Sequence, residues 1–233
     1  MGGFSDSHHF RKTVAGAAMI GAPLFALIAY VVIPKLHTDE GAQLGSIAAH
    51  ADRWMASVMF SALAIVCAML ATLGLMHMLR ERQVTLGHVG GGLAMVGLLA
   101  FVGIVAMELV LWQLLREGDT ATAVTLLQGL NESAGILIPF ALMSFGFAIG
   151  MALLAVGLYR ARAVQSWMAV CVGVGAILVG FAFGTALNWL AIVAAAFLVV
   201  GLGTIGRMVL RETDEAWEHT PEYEGFRPVP GMR

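Results

Sequence analysis

Six long apolar blocks, separated by short polar segments, set the hydropathy pattern of this chain. They cover roughly residues 13–33, 54–79, 88–115, 134–159, 165–184 and 187–206. Each provides the ~20 residues that a helix needs to cross a ~30 Å hydrocarbon layer. Apolar residues are continuous within each block, whereas the strands of a membrane barrel alternate over ~10-residue stretches. The pattern predicts an all-α polytopic membrane protein, a bundle of six transmembrane helices. The fifth and sixth blocks together are too long for one crossing, which implies a hairpin turning near Gly184, Thr185 and Ala186. The first block follows Arg11 and Lys12 as a signal peptide would. Its length exceeds the ~7–15 residues of a cleavable apolar region, so a retained helix is expected.

The polar segments carry patterns of their own. In 34–53, Asp39, Gln43, Ser46, His50 and Arg53 recur at helical spacing, with Leu44, Ile47, Ala48 and Ala51 on the other face. An amphipathic helix on the outer membrane surface is expected there, leading into Trp54 as an interfacial anchor. Segment 116–133 repeats the theme with Ala121, Val124, Leu127 and Leu130. Connections 80–87 and 160–164 are short, which makes the helices they join antiparallel neighbours. The chain divides into a membrane domain, 1–211, and a polar tail, 212–233. From 207 onward the sequence is polar, with Pro221, Pro228 and Pro230, and loose order is expected.

Composition narrows the class further. Hydrophobic residues make up 59% of the chain and charged residues 12%, about half the ~25% usual in soluble domains. A surface so poor in charge excludes a water-soluble globule. A net charge of −2 offers no footprint for nucleic acid. Basic residues encode topology instead. With the N-terminus inside, the inner side holds Arg11, Lys12, Arg80, Arg82, Arg160, Arg162, Arg207, Arg211, Arg227 and Arg233, and the outer side only Lys35, Arg53 and Arg116. The positive-inside rule then predicts an N-in, C-in arrangement. It also accounts for the arginine that closes the second, fourth and sixth blocks, with a hairpin duplication as the alternative reading.

Gly87/Gly91, Gly146/Gly150 and Gly180/Gly184 are small residues four apart, which let helix backbones approach closely in lipid. They are expected to pack the monomer; a homodimer or another membrane-protein partner is the alternative use. Cys67 lies at mid-depth and Cys171 near the inner end, so they read as packing residues. The 14 methionines show no fixed spacing and read as core filler. Pro139 is expected to kink the fourth helix and free a carbonyl.

Glu108 is the one formal charge clearly inside a block. An intramembrane acid is costly unless paired, protonated or wet, and is a candidate functional group by default. Seven residues below the outer end of its helix, it lies about 10 Å deep. Arg53 is the expected partner, with His50 and Asp52 beside it; Gln113 and Asn188 stand next in line. A metal could draw on His37, His50, Asp52, Glu108 and Glu132, but no paired ligand motif supports one. His77 and His88 both sit near the inner interface, so no opposed pair for haem exists. No nucleophile elbow, Walker or Rossmann pattern is present. No cofactor is expected.

Three blocks of sequence carry a resemblance: Ala49-His50-Ala51-Asp52-Arg53-Trp54, the run from Glu108 to Leu114, and the run from Leu154 to Arg162 followed by Trp167. There the chain resembles a group of bacterial multi-span membrane proteins of no known activity, over residues 14–211. The resemblance implies a small integral protein of about six spans in a bacterial cytoplasmic membrane. It brings neither an activity nor site residues. The residues themselves point to an outward-facing polar pocket around Glu108 for a small molecule, lipid or ion. An accessory subunit of a larger membrane complex is the alternative, and a metal-dependent intramembrane hydrolase the third reading.

Overall fold

The computed structural model describes residues 7–34, 40–131, 133–185 and 187–219. Lys35, His37, Asp39, Glu132, Ala186, the packing of Gly184 and the tail beyond 219, with its three prolines, lie outside the described residues. All regular structure among the described residues is helical. In chain order the helices are α1 (Ser7–Val32), α2 (Glu40–Ala49), α3 (Ala51–Met78), α4 (Val84–Arg116), α5 (Thr120–Asn131) and α6 (Ala134–Ala141). A π-helical segment, Leu142–Gly146, joins α6 to α7 (Phe147–Ala161), followed by α8 (Ser166–Thr185), α9 (Asn188–Arg211) and α10 (Asp214–Trp217). Six stretches are long and apolar enough to cross a membrane: His9–Val32, Ala51–Met78, Val84–Arg116, Leu137–Ala161, Ser166–Phe183 and Asn188–Arg211.

The crossing helices form a closed ring. α1 packs on α3, α3 on α4, α4 on α7, α7 on α8, α8 on α9, and α9 returns to α1. Glycine sets the tightest contacts, because in lipid no hydrophobic drive separates helix from solvent and close van der Waals approach must hold the pairs. A Cβ on Gly150 would lie 2.6 Å from the Gly90 carbonyl, and one on Gly206 would lie 2.6 Å from the Gly16 carbonyl. Backbone meets backbone at both points. Cys67 and Cys171 are both free thiols.

The fourth crossing changes its winding just beyond Pro139. Proline removes one helical N–H and crowds the carbonyl four residues back, and the ladder re-forms beyond it as the wider π-helical segment. That segment sits against Gly97, where a Cβ would be 2.9 Å from the Leu142 carbonyl. Proline also occurs inside α1, at Pro23.

At 33 residues α4 is the longest helix, about 50 Å at 1.5 Å per residue. It outruns a ~30 Å hydrocarbon layer, and α2 and α5 pack on it and on each other. Asp119 caps α5, accepting from the Thr122 N–H at 3.1 Å; these bonds hold its carboxyl below the usual range. Leu44 and Ile47 are each 2% exposed. The apolar face of α2 is therefore buried against protein rather than laid on lipid, and Ala48, assigned to that face, is exposed.

The start of α1 and the segment 212–219 lie at the other, basic end of the ring. Here α9 stays helical to Arg211 and the chain folds back on itself. Thr213 caps α10, accepting from the Ala216 N–H at 3.1 Å. Trp217 is buried and stacks on His77 with centroids 4.6 Å apart, while a His77 ring nitrogen bonds the Trp217 carbonyl oxygen at 3.0 Å. Lys12 is only 5% exposed; its ammonium donates to the Glu212 carbonyl at 2.8 Å and pairs with Asp214, which His9 also contacts at 3.2 Å. Hydrogen bonds from Lys12 and His9 hold the Asp214 carboxyl below its ordinary range. The loose order expected from residue 207 thus does not hold for residues up to 219.

Candidate functional site

The ring surrounds a partly open cavity of ≈ 70 Å³. All six crossings line it, among them Ala26, Ala68, Leu98, Met151, Phe183 and Leu198. It exists because α1, α3 and α9 turn alanines inward, where larger side chains would close the space. Two lining side chains carry a polar atom, Thr72 and Tyr30. The Thr72 hydroxyl donates to the Ala68 carbonyl of its own helix at 2.7 Å. At ~10–15 Å³ per water-sized sphere the cavity holds about five such groups, and apolar cavities stay dry. A short alkyl chain or a small ring suits it better than water does.

A polar layer lies above the cavity, toward the end carrying α2 and α5. Four side-chain-to-backbone hydrogen bonds set its level. Arg53 Nε donates to the Val32 carbonyl at 3.2 Å and Ser57 Oγ to Ala29 at 3.0 Å, fixing α3 against α1. Trp112 Nε1 donates to Ala51 at 3.1 Å, fixing α4 against α3. Asn188 Nδ2 donates to the Tyr30 carbonyl at 3.0 Å, fixing α9 against α1. Antiparallel register then places Tyr30, Trp54, Glu108 and Asn188 at similar depth.

The spacing within α4 aims Glu108 inward. Ala94, Leu98, Phe101, Val105, Glu108 and Trp112 alternate in steps of four and three, one face of a helix. Leu98 and Phe101 on that face line the cavity. Glu108 therefore stands two turns above Phe101, roughly 10 Å at 1.5 Å per residue, and within electrostatic range of the Tyr30 phenol. Two buried polar atoms of the layer, Trp54 Nε1 and Asn188 Oδ1, have no hydrogen-bond partner among the described residues. Each such atom costs ~1–3 kcal/mol in an apolar setting. One is a donor and the other an acceptor, so a ligand group of either kind finds a counterpart here.

Among the residues singled out in the sequence, Asn188 bonds the Tyr30 carbonyl and Glu108 stands within electrostatic range of the Tyr30 phenol. Arg53, His50, Asp52 and Gln113 are exposed. No ion pair or hydrogen bond joins Arg53 to Glu108 among the described residues. Arg53 turns instead to the last carbonyls of α1, where a cation complements the helix dipole. A His50 ring nitrogen contacts the Ser46 carbonyl at 3.2 Å, and Gln113 Nε2 donates to Glu117 at 2.5 Å. No three His, Cys, Asp or Glu side chains among the described residues are placed to hold a metal ion. Tyr30 and Trp54 are the members the sequence reading missed as site residues. An aromatic near a span end reads as an interfacial anchor, and only the inward register of α1 and α3 distinguishes these two.

Fold and site together define a ring of six membrane-crossing-length helices with an apolar interior and one polar layer near its end. The chain matches no family model, no curated protein and no solved structure.

Proposed function

We propose that this protein spans a bacterial cytoplasmic membrane with its basic end inside, and that it binds a small amphiphile from the outer side. The apolar part of the ligand occupies the cavity, and its polar head meets Glu108, Tyr30, Asn188 and Trp54. The observation that carries this reading is the continuity of the two features: Tyr30 lines the apolar cavity and is also within electrostatic range of Glu108. Orientation rests on charge. Eight described basic residues sit at the end where α1 begins and α9 ends, and two at the other, Arg53 and Arg116, in line with the positive-inside rule.

Octanol is a suitable probe, since its chain is apolar and its hydroxyl both donates and accepts. The expected result is a rise in melting temperature of the purified protein with octanol. Ala68→Leu adds three carbons at the cavity wall and should abolish that rise while keeping the melting temperature without ligand. An equal rise in both proteins, or none in either, contradicts the proposal.

A further inference from the structure

One face of α9 is built like the profile of a phospholipid. Val193, Phe197, Val200, Thr204, Arg207 and Arg211 follow one another in steps of four and three, so they share a single face. The three apolar members are 38%, 37% and 50% exposed, away from the buried face that packs on α1 and α8. Over the last two turns the face becomes polar. Thr204, Arg207 and Arg211 line an open cleft of ≈ 400 Å³ with Met208 and Glu212.

The two guanidiniums differ from most cations at this end. Lys12 is committed to Asp214, Arg11 and Arg80 to Glu218, and Arg82 to the Ala161 carbonyl. Arg207 and Arg211 have neither an ion pair nor a hydrogen bond among the described residues. Glu212 is the one carboxylate on the cleft, and burial pushes its carboxyl up toward the neutral form against the pull of Lys12. Two unneutralised arginines four residues apart, at the end of an exposed apolar strip, match a phosphate carried on acyl chains. A free phosphate would match only the arginine end of that strip.

We infer that this face of α9 binds the phosphate of an anionic phospholipid in the leaflet at the basic end, with its chains lying along Val200, Phe197 and Val193. The site is separate from the central cavity and stands or falls independently of it.

Native mass spectrometry of the full chain tests this with phosphatidylglycerol and phosphatidylcholine of identical chains. The wild type should retain phosphatidylglycerol preferentially. At ~1 kcal/mol per surface arginine, Arg207→Gln and Arg211→Gln should each cut that preference about fivefold, and the double variant about thirtyfold. Arg160→Gln, an exposed arginine ending α7 at the same end of the ring, should change it less than about twofold. Equal loss in Arg160→Gln would mean diffuse surface charge and overturn the site. So would displacement of the lipid by millimolar inorganic phosphate, which would show an anion site without a lipid strip. Retention unchanged in the double variant would overturn it as well.

Discussion

Gly180 lies where α8 meets the π-helical segment and α7, with the Ser144 carbonyl and Ala148 Cβ only 3.0 and 2.9 Å from where its own Cβ would be. Backbone cannot retreat as a flexible side chain can, so Gly180→Leu should lower the melting temperature in detergent, by ~1–3 kcal/mol or more of overpacking. An unchanged melting curve would place this face against lipid. Small-residue spacing made Gly180 legible from sequence, but it did not single out Gly97, Gly16 or Gly206, which make equally close contacts without their own four-residue partner on the helix. Glu108 was legible for a different reason, as a charge in an apolar run. Its surroundings were not, because reach alone favoured Arg53 while the register turned that side chain to the Val32 carbonyl. A double-mutant cycle of Glu108→Gln and Arg53→Ala should therefore be additive within ~0.5 kcal/mol. Coupling of several kcal/mol would restore the ion pair.

At the scale of helices, the six crossings follow the apolar blocks to within a few residues at most ends, since continuous apolar length is a strong signal. What hydropathy leaves out is where amphipathic pieces dock. α2 has the expected periodicity, yet it covers protein because α4 projects far enough to receive it. α10 carried a signal that composition hid: a Thr213 cap, two acids in the first turn and a tryptophan, set inside a polar tail. Its docking has a pH signature. Asp214 has a depressed pKa in the folded protein, so its contribution is fully present above the ordinary Asp value of ~3.9 and is lost as pH falls through the depressed value. Hydrogen exchange across residues 212–219 should accelerate in that acid window before the crossings exchange. Synchronous exchange of α10 and the crossings would contradict a separable clasp. Trp217→Ala should produce the same local loosening at neutral pH, by removing the ring that stacks on His77.

The whole molecule is a ring whose two ends differ in kind, one basic and clasped by its own tail, the other capped by α2 and α5 above a polar layer. In a background without Cys67 and Cys171, cysteines at Glu40 and Thr120 should react with an impermeant label from outside, whereas those at Arg82 and Arg162 should not. Labelling of the second pair would invert the proposed topology. The cavity itself could not be read from the sequence, because an alanine facing inward is indistinguishable from one facing lipid until the ring closes. Its occupancy is the central claim. A structure of the protein with 8-bromo-octanol addresses it most directly, since bromine marks where the chain ends. Bromine among Ala68, Leu98 and Leu198, with the hydroxyl toward Tyr30 and Glu108, is the expected result. Bromine only on the lipid-facing surface, with the cavity unchanged, would contradict it.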